Sequence, residues 1–250
     1  MNWLPVWQRN YLVWKKLAIP SILGNLADPL LYMLGLGYGL GQFLGDVNGV
    51  PYLHFLAAGT LAYSVMNSAT FETLYSSFSR MHVQKTWDAI LNTPLTLTDV
   101  LIGEWLWAAS KSLLSGLAIL AVIWALDLYA DFALTLWLLP VILLTGLCFS
   151  GLGLAVNSVA PNYDFFMYYF TLVITPMVLL SGVFYPPDAL PAWLAAFAGA
   201  LPLTHAIELA RPLALGQMPA QPLLNCTILL AYGLAGLAAG LVLTRRRLLR

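Results

Sequence analysis

Four ionisable residues fall inside long apolar stretches of the chain: Asp28, Glu72, Glu104 and Lys111. A charge at a bilayer centre costs at least about 2.5 kcal/mol on insertion scales, so each needs a partner or water. Glu72 stands roughly two helical turns before the charged boundary at Arg80. Lys111 stands about three turns into the next apolar stretch, which must run antiparallel, so the two reach similar depth. The spacing therefore pairs Glu72 with Lys111, either as a structural ion pair or as a polar wall along a route across the bilayer. Asn25 and Asp28 share one face a turn apart, and Asp28 precedes Pro29, which marks a kink position. His205, Glu208 and Arg211, spaced i, i+3 and i+6, fall roughly on one side of a short helix. Three chemistries fit that trio: a local polar network, a contact to a polar ligand, or an acid–base pair. Metal binding asks for more ligands than one His and one Glu. No Ser or Cys nucleophile motif stands beside the trio, so no residue is assigned a catalytic or metal-binding role. The glycines of "GLGYGLGQFLG" end an apolar stretch and do not join a strand to a helix. They read as small-xxx-small packing pairs rather than as a nucleotide loop. No GxxxxGK[ST] phosphate loop occurs, so the chain carries no ATPase motif of its own.

The elements that position these groups follow from composition. Of 250 residues, 60% are hydrophobic and 9% are charged, with net charge zero; soluble domains carry about 25% charged residues. The expected fold is an all-α integral membrane protein, one membrane domain over residues 1–250. Stretches of about 20 apolar residues cross a bilayer, and six such spans are expected: 20–44, 53–79, 100–126, 133–157, 164–184 and 221–243. Residues 1–18 do not span. Trp3, Trp7, Tyr11 and Trp14 recur near helical spacing there, which predicts a helix lying in the interface. Placing Arg9, Lys15, Lys16, Arg80, Lys85 and the terminal Arg245, Arg246, Arg247 and Arg250 inside makes both termini cytoplasmic. Segment 185–220 is too apolar for a loop, and its prolines, among them Pro191, Pro202 and Pro212, cut it into pieces too short to span. A re-entrant helical pair before the last span is the expected solution. Cys148 and Cys226 lie in apolar runs and read as buried thiols.

One short stretch differs from the rest. "VQKTWDAILNTPL", residues 83–95, is amphipathic, with Trp87, Ile90 and Leu91 at helical spacing among polar positions. Together with "WKKLAIPSILGNLADPLLYMLGLGYGLG", "NSATFETLYSSFSRM", "TWDAILNTPLTLTDVLIGE", "APNYDFF", "TLVITPMVLLSGVFYP" and "LPLTHAIELARPLALGQ", it gives the chain its resemblance to a known family. In their order and spacing these segments resemble the permeases of ABC-2 type exporters, and within them the NodJ family of nodulation-factor, or lipooligosaccharide, exporter permeases.

The resemblance implies the interfacial helix, the six spans and the re-entrant pair. It also implies a second copy of this permease and two cytoplasmic ABC ATPase subunits, which carry the ATP and Mg; this chain needs no cofactor. Segment 83–95 matches the coupling helix that rests in a groove of the ATPase. Trp87, Ile90 and Leu91 would be its anchors, and Gln84, Lys85 and Asp88 its polar rim, a helix-in-groove mode. Membrane lipids are expected partners and nucleic acid is not. The implied place is the bacterial inner membrane, multi-pass. The implied function is ATP-driven export of an amphiphile such as a lipid-linked oligosaccharide, with Asn25, Asp28, Glu72, Lys111, His205, Glu208 and Arg211 as residues of the route. Cargo differs among relatives on one scaffold, so efflux of drugs or other hydrophobic molecules stands as the alternative, and a membrane-embedded lipid-modifying enzyme as the other class.

Overall fold

The computed structural model describes residues 2–47 and 49–248; the side chain of Asn25 lies outside the described set. The chain is almost wholly helical. Helix α1 (Leu4–Trp14) passes through one 3-10 turn into α2 (Ala18–Gly39), which runs through Pro29. A two-residue hairpin, β1 (Asp46–Val47) and β2 (Val50–Pro51), then turns the chain into α3 (Tyr52–Phe71). The α3 helix continues without a break as two π-helical stretches, Glu72–Ser77 and Ser79–Val83. After α4 (Thr86–Leu91) comes the long α5 (Leu97–Ala125), then α6 (Leu138–Val159). The run Asp164–Leu180 forms α7, with a π-helical middle at Phe170–Ile174. Two short helices, α8 (Ala192–Ala198) and α9 (Pro202–Ala214), precede the final α10 (Pro222–Leu248).

The element ends have local causes. Thr96 caps α5 through a reciprocal box: its hydroxyl accepts from the Asp99 amide at 3.2 Å, and Asp99 accepts from the Thr96 amide at 3.0 Å. The Asp99 carboxylate also accepts from the Asn2 amide at 2.6 Å, which ties the start of the chain to this cap. Helix α1 then lies along α5 by residues one turn apart. Val6 packs over Gly103, Trp7 Nε1 donates to Ser110 at 3.0 Å, and Asn10 Nδ2 donates to Glu104 at 3.1 Å.

Helix α3 sits at the centre and is buried nearly all round, against α5, α6 and α9. Small or hydroxylated residues, Ala57, Ala58, Thr60, Ala62, Ser64, Ser68 and Ala69, are buried on it beside the larger Leu56, Leu61, Val65 and Met66. The tightest seam joins α6 and α10, where Gly151 meets Gly233 and Gly236 backbone to backbone. Of the glycines expected to pack, Gly37 and Gly41 do so, against Leu53 and Tyr52, while Gly35, Gly39 and Gly45 face open space.

Among the described residues, four helical runs are long and apolar enough to cross a membrane: Leu4–Leu44, Leu97–Ala125, Phe132–Val159 and Pro222–Leu248. Counting the α8–α9 pair as one broken span makes five. The expected span at 53–79 is a long helix whose Ser, Thr and Asn content lowers its hydropathy. The one expected at 164–184 is α7, Asp164–Leu180, a shorter apolar helix. Helices α8 and α9 meet at 87°. Pro191 caps α8 and Pro202 opens α9, as expected of chain breakers, but Pro212 lies inside α9 and does not cut it.

Candidate functional sites

The Glu72–Lys111 pair expected from depth is present, and it is part of something larger. Lys111 Nζ donates to Glu72 Oε2 at 2.7 Å, and Trp107 Nε1 donates to Glu72 Oε1 at 2.8 Å. Arg80 bridges the two buried acids: Nη2 reaches Glu72 Oε1 at 2.8 Å, and Nε reaches the two Glu104 oxygens at 2.9 and 3.1 Å. Glu104 also accepts from Asn10 at 3.1 Å and from the Trp87 indole at 3.3 Å. Two carboxylates and two cations balance, and every oxygen of both acids has a donor. That satisfies the condition for keeping charges buried. The cluster draws on α1, the π-helical end of α3, α4 and α5. A cavity of about 430 Å³ opens beside it, lined by Arg9, Trp14, Tyr75, Arg80, Trp107 and Lys111 among others.

Arg80 corrects its assignment. Counting cations by loop makes it a surface charge at the inner boundary; the structure buries it, with 8% of the residue exposed, between the two glutamates. Arg80, Glu104, Asn10 and Trp107 are the members that spacing alone missed. The available signal was that Arg80 follows Glu72 by about two turns, and that Trp107 lies about one turn from both Glu104 and Lys111.

The anchor role expected of Trp87 in segment 83–95 is also revised. Trp87 is 2% exposed, packed with Val6, Met81, Val100, Leu101, Leu154 and Leu237 of its own chain. Ile90 and Leu91 lean on the same cluster. Trp87 is therefore consumed inside the chain and offers nothing to a groove elsewhere, while Ile90 and Leu91 stay half-buried. What faces outward is Gln84, Lys85, Asp88, Ala89 and Asn92, with Lys85 and Asp88 loosely paired at 4.0 Å. Lys85 takes a left-handed backbone conformation, φ 54°, which turns the chain from the π-helical stretch into α4. Just before it, His82 stacks on Phe78 with ring centroids 4.4 Å apart. Burial, reinforced by the Arg247 and Lys85 charges, holds its pKa below the ordinary imidazole value.

The His205, Glu208, Arg211 trio divides. His205 is buried, its Nδ1 2.9 Å from Asn225 Oδ1 of α10, with the Glu208 carboxylate 3.9 Å away. Arg211 turns the other way. It sits over the Phe55 ring at 3.7 Å and donates to the carbonyls of Gly182 at 2.5 Å and Phe55 at 3.4 Å. Glu208 and Arg211 line a cavity of about 590 Å³ with Ser181, Asp188, Gln217 and Gln221. Asp28 stands apart from both sites, accepting from the Tyr63 hydroxyl at 3.2 Å beside a cavity of about 420 Å³. Asn25, expected to share its face, has its side chain outside the described residues. Among the described residues, no group of three or more His, Cys, Asp or Glu is placed to hold a metal.

Residues 2–215 match the ABC-2 type transporter family. The chain belongs to it. Nodulation protein J of Rhizobium leguminosarum bv. viciae is 50% identical over 250 residues, covering 100% of this chain and 96% of that protein. Nodulation protein J of Bradyrhizobium diazoefficiens is 49% identical over 249 residues, covering 100% of this chain and 95% of that protein. The inner membrane transport permease YadH of Escherichia coli K12 is 24% identical over 208 residues, 82% of this chain and 78% of its own. An ABC-2 chain is a multi-pass membrane subunit of a transporter and not an enzyme. The polar clusters above are thus read as parts of a transport machine.

Proposed function

We propose that the chain is the permease of an ATP-driven exporter that moves an amphiphile, a lipid-linked oligosaccharide, out of the cytoplasm or the inner leaflet. The observation that carries this is the identity of about half over full length to Nodulation protein J proteins. Two copies would assemble with two cytoplasmic ATPase subunits in the inner membrane, both termini inside. The name of the more distant YadH relative supports that location. In this reading six segments span, α8 and α9 form the re-entrant pair, and α1 lies in the interface. The wide exposure of α2 through Ile19, Leu23, Leu31 and Tyr32 supports a lipid-facing or copy-facing position. ATPase contact falls to the outward face of α4, while the inner cluster links that helix to α1, α3 and α5.

The test is co-expression with a neighbouring ABC ATPase, followed by reconstitution in liposomes. Lipid-linked oligosaccharide is expected to stimulate ATP hydrolysis and to appear on the side away from ATP. A permease that retains no ATPase through purification would refute the assembly. Stimulation by hydrophobic drugs alone would refute the cargo.

A further inference from the structure

The outer cavity carries chemistry that the exporter reading does not assign. It is closed by four pieces of chain: the start of α3, the turn after α7, helix α9 and the stretch leading into α10. Two ties hold these walls. Arg211 pins the turn to α3 through the Gly182 and Phe55 carbonyls, and His205 pins α9 to α10 through Asn225. At about 590 Å³ the space lies within the range of small-molecule sites, about 300–1,000 Å³. Ser181, 1% exposed, lines it, and its hydroxyl finds no hydrogen-bond partner. A buried hydroxyl without a partner is costly and marks a place where a ligand or water completes the bond.

The other lining groups narrow the ligand. Arg211 is the only cation among them, and its guanidinium is already engaged by two carbonyls and the Phe55 ring, so an anion finds no free positive charge. The remaining polar groups are the acceptor-only Asp188 and Glu208 carboxylates and the Thr204, Gln217, Gln221 and Asn225 side chains, which both donate and accept. Apolar wall is supplied by Val50 and Ile207. A rim of carboxylates, amides and hydroxyls beside an apolar wall suits a molecule whose hydroxyls both donate and accept at its edge and whose faces are C–H groups. We propose that this cavity is a binding site for the uncharged, hydroxyl-rich sugar portion of an amphiphile. The proposal rests on the exporter reading and deepens it.

The permease alone, in lipid nanodiscs, tests it by saturation-transfer NMR with neutral trisaccharides of glucose, N-acetylglucosamine and mannose, and with hexylammonium as the competing chemistry. At least one trisaccharide is expected to bind saturably. Ser181→Val removes the unpartnered donor and is expected to weaken binding about fivefold, the worth of one hydrogen bond. Glu208→Gln keeps an acceptor and is expected to hold affinity within about twofold. Should Ser181→Val fail to fold, Gln221→Leu at the rim is expected to give a comparable loss. Absence of saturable sugar binding overturns the proposal, as does sugar binding indifferent to whichever of these two variants folds. Hexylammonium binding that Glu208→Gln abolishes overturns it in favour of an amine site. Failure here with an ATPase still co-purifying would remove the sugar site and leave the exporter reading standing.

Discussion

Arg80 holds the Glu72–Glu104 cluster together because both glutamates depend on it. Removing it leaves Glu104 with only neutral donors and Glu72 with Lys111 and Trp107. Stranding a buried charge costs about 3–5 kcal/mol. Arg80→Met is therefore expected to lower the thermal midpoint in detergent more than Lys111→Met, which leaves Glu72 still bound to Arg80. Glu72→Gln combined with Lys111→Met should recover part of the sum of the two single losses, and strictly additive losses would show that the pair is not coupled. Depth counting makes the Glu72–Lys111 half of this cluster legible in the sequence, since two antiparallel helices meeting at one level is a matter of rise per residue. The Arg80 half is not legible that way. A long side chain near a span boundary reads as a solvated inside charge unless the fold shows it turning back. Here the π-helical stretch carries it to the glutamates. In the His205, Glu208, Arg211 trio the i, i+3, i+6 spacing groups three residues, but each is drawn to a different neighbour: Asn225, the cavity and Phe55.

At the scale of elements, the same distinction governs α4. Periodicity identifies an amphipathic helix and its apolar face, but not what that face meets. In this fold the apolar face meets Val6, Leu101 and Leu154 of the chain itself. Trp87→Ala is expected to destabilise the permease by about 3–5 kcal/mol, as large-to-small changes in cores do. Lys85→Glu with Ala89→Asp is expected to leave the thermal midpoint in place and reduce ATPase retention in a pull-down at least about fivefold, since only the outward face is altered. The reverse pattern, with ATPase lost only in Trp87→Ala at unchanged stability, would return the anchor role to Trp87. The glycine seam shows a similar limit. Glycine spacing announces close helix packing, but the partner surface decides which run is used. The backbone approach falls at Gly151, Gly233 and Gly236 between α6 and α10, while three of the glycines in 35–45 face open space.

Across the whole molecule, α3 is the element that touches both polar regions. Its first turn carries Phe55 beneath Arg211, and it continues through its π-helical end to Glu72 and Arg80. Between them Thr60, Ser64 and Ser68 recur every fourth residue on a buried face, and none of their hydroxyls has a hydrogen-bond partner. An unpartnered buried hydroxyl costs about 1–3 kcal/mol, whereas alanine at such a site costs little. A central helix that keeps three of them in succession is held below its best stability in this arrangement. A second arrangement, in which α3 shifts and the hydroxyls find partners, would recover that free energy, and a transporter must visit more than one state. Ser64→Ala with Ser68→Ala is therefore expected to raise the thermal midpoint in detergent and to slow ATP-driven transport by favouring this arrangement. Thermal unfolding and a liposome transport assay on the same preparation check the two halves separately. A double variant that melts earlier would mean the hydroxyls are bonded in this state. One that melts later yet transports at the normal rate would mean that α3 does not move through them.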